Sequence, residues 1–198
     1  MGRLRIVESL TLDGVMQSPG RPDEDTRDGF EHGGWATPYV DDVLGRAMGE
    51  QMGVGGSILL GRRTYEDFAE VWPNQKGNPY SEALNAAQKY VASNTLSEPL
   101  SWENSTLLSG DAADAVAALK EEDDGGLTVL GSGELVRSLL GPGLIDEYLL
   151  LIHPLILGSG TRLFSDGANA SLELADSLTT TTGVVIATYR PAAGAHGA

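Results

Sequence analysis

Apolar and polar positions alternate along LRIVESLTLDG, Leu4 to Gly14, and the run closes on Asp13-Gly14. That pattern predicts a strand ending in a turn. Residues 17–34, QSPGRPDEDTRDGFEHGG, interrupt it with Gly, Pro and Asp. A loop of this length in one domain is usually functional or mobile. A helix is expected from about Thr37 or Pro38 to Met52. Thr37 suits the N-cap, Pro38 the first helical position, and Asp41 and Asp42 the first turn. SILLG, Ser57 to Gly61, reads as a short buried strand, with RRTYEDFAEVW starting a helix directly behind it.

The same alternation of strand and helix recurs downstream. KYVAS, Lys89 to Ser93, is a second apolar strand ending at Asn94, and an edge strand is expected near Ser105 to Ser109. Asp111 opens the helix DAADAVAALKEE, whose apolar positions recur at helical spacing. LTVLG, Leu127 to Gly131, is a third buried strand, followed at once by the helix ELVRSLL. IDEYLLLIHPLIL, Ile145 to Leu157, is β-rich, and SLELADSLT and GVVIATYR supply two final strands. Together these predict an α/β fold: a mixed, mostly parallel sheet with helices on both faces and antiparallel C-terminal strands. Residues 1–190 are expected to form a single domain, and residues 191–198, PAAGAHGA, a disordered tail.

Composition narrows the function. The 198 residues are 41% hydrophobic and 21% charged, a balance that supports a substantial core. No apolar run approaches the ~20 residues that span a bilayer. The N-terminus MGRLRIVESL lacks the marks of a signal peptide, so the cytoplasm is the expected location. Cys is absent, which excludes disulfides, thiolate metal sites and Cys nucleophiles. His32, His153 and His196 are too scattered to suggest a metal cluster. A net charge of −15 argues against nucleic acid as a partner, whereas one anionic cofactor needs only one or two well-placed basic residues.

Three strand ends carry candidate chemistry. In LLGRRTYEDF, Leu59 to Phe68, a strand ends at Gly61 and Arg62, Arg63 and Thr64 begin a helix. Free amides at a helix start, with two planar guanidinium forks, suit phosphate. Equally, both arginines could face solvent and pair with Glu66, Asp67 or Glu70. In VLGSGELVRSLL, Gly131 and Gly133 flank Ser132 and would let a pyrophosphate approach the backbone, or would simply make a tight turn. Val136 stands where a third glycine would complete the dinucleotide-binding fingerprint. In VASNTL, Ser93 and Asn94 end a strand with small polar groups that also suit a turn. Three such strand ends can line one groove.

This order of motifs resembles the dihydrofolate reductase-like superfamily, closest to the reductase domain of riboflavin biosynthesis and its stand-alone bacterial relatives. SLTLDGVMQSPG, LLGRRTYEDF, VLGSGELVRSLL and IDEYLLLIHPLILGSGTRLF carry the likeness over most of residues 3–165. The resemblance implies a three-layer α/β/α fold and an NADPH-dependent reductase. A hydride would pass to a C=N or C=O carbon of a small, heterocyclic substrate of riboflavin-precursor or pterin kind. Gly61, Arg62, Arg63 and Thr64 would hold the phosphates of the adenosine half. Ser93 and Asn94 would contact its ribose and 2′-phosphate. Gly131, Ser132, Gly133, Glu134 and Leu135 would hold the pyrophosphate, while Ser9, Leu10 and Met16 would approach the nicotinamide. Asp41, or Asp42 beside it, would be the acid that anchors substrate, and Asp13 a second contact, though these also suit structural roles at a helix start and a turn. Trp35, Tyr65 and Trp72 could stack on a flat ring or pack in the core. The acidic stretch Asp23 to Asp28 is a poor home for a phosphorylated substrate, and His153 reads as a core or interface residue. Family members are often homodimers, for which Tyr148 to Leu157 could supply an interface. The alternative is a non-catalytic NADP(H)- or nucleotide-binding protein that keeps the fold. A flavin-linked or phosphate-loop protein is a third.

Overall fold

The computed structural model describes residues 2–53, 56–122, 125–164 and 168–192. Its strands are β1 Leu4–Thr11, β2 Ser57–Gly61, β3 Lys89–Ala92, β4 Ser105–Leu108, β5 Leu127–Leu130, β6 Glu147–His153, β7 Leu172–Thr179 and β8 Val185–Pro191. They form one sheet in the order β4-β3-β2-β5-β1-β6-β8-β7. The β4-to-β6 part is parallel, and β8 and β7 add antiparallel. The helices are α1 Asp42–Gly53, α2 Arg62–Val71, α3 Pro79–Ala86, α4 Ala112–Glu122 and α5 Gly133–Leu140. None is long and apolar enough to cross a membrane.

Strand periodicity divides the core into two layers. Leu4, Ile6 and Leu10 of β1 pack on one face with Val116 and Leu119 of α4 and Val136 and Leu139 of α5. Val7 points the other way and joins Leu44 of α1, Tyr65 of α2 and Leu84 of α3. This is the three-layer arrangement expected from the sequence.

Four elements differ from the sequence reading. The first helix starts at Asp42, not at Thr37. Thr37–Tyr39 makes a single 3-10 turn and Val40 is extended. The Tyr39 carbonyl is taken by the Thr182 hydroxyl at 2.6 Å, and Asp41 accepts the Leu44 N–H at 2.8 Å, so Asp41 caps the helix. Helix α3 is additional; Asn78 caps it by accepting the Tyr80 N–H at 3.0 Å, with Pro79 in its first turn. The β-rich run of residues 145–157 yields a strand only from Glu147 to His153, ending just before Pro154. Finally, residues 191 and 192 are ordered, because β8 includes Pro191 and the Ala192 N–H bonds to the Ser171 carbonyl at 2.9 Å. Residues 193–198 of the expected tail lie outside the described residues.

Two lysines are built into this frame. The side chain of Lys89 is fully buried, and its Nζ donates to the carbonyls of Leu84, Asn85 and Ala87 at 2.7–3.3 Å, closing the end of α3. The Lys120 ammonium likewise binds the Leu144 carbonyl at 2.6 Å and Asp146 at 2.5 Å.

Candidate active site

The ends of β3, β2 and β5 are neighbours in the sheet, so the turns that leave them share one rim. They line a groove of about 440 Å³. Gly61 precedes α2 with extended backbone and no side-chain cap, leaving the helix start to its own amides and to Arg62 and Arg63. After β5 the chain turns sharply: Gly131 has φ +54° and Ser132, the residue before α5, has φ +64°. A Cβ on Gly133 would stand 2.0 Å from the Met16 sulfur, so the thioether lies directly on that backbone. The Ser132 hydroxyl accepts the Gly61 N–H at 2.9 Å and donates to the Leu130 carbonyl at 3.0 Å, joining the two turns.

Eleven residues expected at the cofactor do line the groove: Met16, Gly61, Arg62, Arg63, Thr64, Ser93, Asn94, Ser132, Gly133, Glu134 and Leu135. Gly131 sits behind it, against Thr64. Ser9 and Leu10 lie on β1 outside its lining, and the Leu10 side chain belongs to the core. Several lining side chains are already engaged. Ser93 accepts the Thr95 and Leu96 amides, both at 3.1 Å, and Asn94 exchanges two bonds with Gly110.

Two further arginines reach the groove that sequence reasoning passed over, Arg27 and Arg137. Arg27 was masked by the acidic character of its loop, and Arg137 by its place in an amphipathic helix. Four arginines therefore converge on one groove in a chain of net charge −15. Glu134 stands among them, 2.8 Å from Arg63 and 3.8 Å from Arg27. Arg62 is the least engaged, with Glu66 at 3.9 Å. Asp67 pairs with Arg21 instead, at 2.5 Å.

The loop over residues 17–34 is pinned. Gln17 donates to the carbonyls of Asp25 and Arg27 and accepts the Thr161 N–H at 2.9 Å, and Trp35 donates to the Gln17 carbonyl at 2.7 Å. Its acids are largely spent internally: Asp25 on Arg27, Asp23 on Arg21, and Glu24 on the Gly20 and Arg21 amides. The charge argument against a phosphorylated substrate is correspondingly weaker.

Both candidate acids are occupied. Asp13 accepts the Thr11 hydroxyl at 2.6 Å and the amides of Leu157 and Gly158, and these bonds, the hydroxyl first, lower its pKa. Asp41 accepts the Thr181 hydroxyl at 2.6 Å and amides of Leu44, Thr181 and Thr182, which hold it at about 2. A carboxylate so bonded stays ionised at neutral pH and has no proton to give. Glu8 behaves oppositely. It is 3% exposed on β1, and burial pushes it up to about 8, with Glu24 adding to the shift. No spacing in the sequence marked it.

The aromatic candidates pack rather than line the groove. Trp35 joins Val15 and Phe30, Tyr65 accepts the Trp102 N–H at 2.9 Å, and Trp72 lies edge-on to Phe68 and Tyr80. His153 is buried with Nδ1 3.0 Å from the Leu151 carbonyl, edge-on to Trp35.

The sheet order, the helices on both faces and the strand-end groove define the dihydrofolate reductase-like fold. Dihydrofolate reductase from Enterococcus faecalis, complexed with NADP(H), superposes with a TM-score of 0.60 at 14% identity, covering 96% of this chain and 97% of its own. A pyrimidine reductase-like protein from Corynebacterium diphtheriae does so with a TM-score of 0.68 at 14% identity, covering 96% and 92%. Residues 4–186 match the RibD C-terminal domain, and the chain belongs to that family. The uncharacterised protein YyaP of Bacillus subtilis is 28% identical over 139 residues, 67% of this chain and 72% of its own.

Proposed function

We propose that this protein is an NADPH-dependent reductase of a small, heterocyclic substrate with an electrophilic C=N or C=O carbon, of pterin or riboflavin-precursor kind. The observation that carries the reading is the convergence of Arg27, Arg62, Arg63 and Arg137 on a groove floored by two strand-to-helix turns. The residues fit a dinucleotide phosphate. Gly133 offers a backbone without a side chain once the Met16 thioether moves aside, the starts of α2 and α5 offer amides, and the arginines offer charge. When bound, the cofactor supplies a hydride from its reduced nicotinamide.

The chain's own residues then bind and orient. Arg62 and Arg63 are placed to read the 2′-phosphate and its neighbours, and the turn Gly131–Gly133 to seat the pyrophosphate. Met16 must move off Gly133 for a ligand to use that backbone. Titration calorimetry with NADPH and NADH tests the reading. The expected outcome is micromolar NADPH affinity with weaker NADH; binding of neither sinks it.

A second reading, a binding protein without catalysis, is favoured by the occupied carboxylates of Asp13 and Asp41. Repeated NADPH oxidation with dihydrofolate, the riboflavin precursor or simple imines would eliminate it. A cytoplasmic homodimer is part of the proposal; β6 lies between β1 and β8 with most of its side chains buried, so within the stretch Tyr148 to Leu157 it is the end, where Ile156 is exposed, that is free to contribute. The edge strand β7, with Leu174 and Leu178 exposed, offers a second apolar surface. Sedimentation of the wild type and of L174E/L178E reads this.

A further inference from the structure

Strand β1 outruns β5. Their ladder stops at Val7 and Leu130, with a last bond from the Gly131 N–H to the Val7 carbonyl at 3.2 Å. On its other edge β1 pairs with β6 as far as Thr11 and His153. The β5-side edge of β1 is therefore without a strand partner from Glu8 to Leu10, before the Thr11 N–H turns to the Val15 carbonyl at 3.0 Å, and this leaves a crevice next to the Gly131–Gly133 turn. Such splits admit ligands in open α/β sheets.

Glu8 stands at the root of this crevice. Its side chain shares a face with Leu10, which packs with Met16, Leu135 and Leu163, and two of these line the groove. Its Oε2 is buried and bonds to nothing. A buried oxygen without a partner calls for an explanation. The charged groups near it are Glu24 from the loop and Arg137 from α5. From the flanking strands come Leu150, its β6 partner, and Gly131, both uncharged. Burial without a close counter-ion disfavours ionisation, so the group is a neutral acid at neutral pH. A neutral carboxyl sets one O–H donor beside one carbonyl acceptor.

We infer that Glu8 is a ligand-binding residue of the crevice, pairing as a neutral acid with a primary carboxamide, the group that a nicotinamide ring carries. The acid O–H donates to the amide oxygen, and the amide NH₂ donates back to the carboxyl. The inference rests on the NADPH reading and adds to it a group that orients the ring. No bond is made or broken.

The test uses the full chain and two probes: NADPH, and adenosine 2′,5′-bisphosphate, which has no nicotinamide. Affinities are measured from pH 6.5 to 9.5 for wild type, Glu8→Gln and Glu8→Leu. Wild-type NADPH affinity should be flat below about pH 7 and fall by about tenfold as the acid ionises above about pH 8. Glu8→Gln, whose amide still donates and accepts, should stay flat. Glu8→Leu should weaken NADPH about tenfold throughout, and the bisphosphate should ignore both variants. The inference is overturned if Glu8→Leu binds NADPH as wild type does, if Glu8→Gln keeps the wild-type pH loss, or if the bisphosphate shows that loss too. Should Glu8→Leu not fold, the isosteric Glu8→Gln decides alone. If wild type binds neither probe, the reductase reading fails and takes this inference with it. If both bind and only the Glu8 arms disagree, the reductase reading stands.

Discussion

The hydroxyl of Ser132 lies 2.9 Å from the amide nitrogen of Gly61, so the two strand ends that open α2 and α5 are fastened to each other. Two turns 71 residues apart in sequence therefore move as one rim. The rim's shape is fixed before any ligand arrives, which lowers the cost of ordering it on binding.

Ser132→Ala removes that bond and the one to Leu130. It leaves the Gly61 N–H without its partner and gains nothing at the left-handed position. Stability should fall by about 1–2 kcal/mol in urea unfolding, with NADPH affinity falling alongside. An unchanged unfolding midpoint would show that the two turns hold their places without the bridge.

Arg62 and Arg63 should not be equivalent. Arg63 is held by Glu134 at 2.8 Å, whereas Arg62 has only Glu66 at 3.9 Å and is freer to meet a phosphate. Arg62→Ala should cost NADPH about 10- to 100-fold in affinity and Arg63→Ala less, with NADH little affected by either. Equal losses for the two cofactors would mean that neither arginine reads the 2′-phosphate.

Asp41 ties the start of α1 to the turn between β7 and β8. Asp41→Ala should lower the unfolding midpoint and leave NADPH affinity unchanged. Its folded pKa of about 2 lies below the ordinary value of 3.8, so the tie is complete above that ordinary value. It is lost as pH falls toward 2, and the gap between wild type and variant should close on acidification. A gap that stays constant down to pH 2 would contradict the assignment.

Glu8 has the opposite sign. Its pKa rises from 4.5 to about 8 on folding, so between those values the native chain holds a proton that the unfolded chain has released. Stability from this group is complete below pH 4.5 and is gone above pH 8. The slope is at most about 1.4 kcal/mol per pH unit. Glu8→Gln should flatten the wild-type curve across that window, as denaturant unfolding at pH 5 and pH 8 would reveal.

Most of the fold was legible in the sequence because its signals are local. Alternation gave β1, apolar runs bounded by glycine gave β2 and β5, and Asp111 marked α4, whose amides at Ala113 and Asp114 it accepts. The groove was legible too, since strand, turn and helix followed one another in the motifs themselves. Glu8, Arg27 and Arg137 were not. Glu8 depends on which strand outruns which and Arg27 on how a long loop folds back, both long-range facts, while Arg137 was hidden among the polar positions of an amphipathic helix. Asp13 and Asp41 show the converse: their types suited chemistry, but the partners that consume them, Gly158 and Thr181, lie 145 and 140 residues away. The missed helix α3 was a different case, for Asn78-Pro79 is a local start signal.

Lys76, Lys89 and Lys120 are the chain's only lysines, and the last two spend their ammonium groups on buried carbonyls. The native molecule thus meets solvent with guanidinium almost wherever it is cationic. To an amine-reactive reagent it offers a single lysine, Lys76. Modification at Lys89 must wait until the end of α3 lets go, so the rate at which that residue becomes labelled is a clock for the opening of this part of the fold.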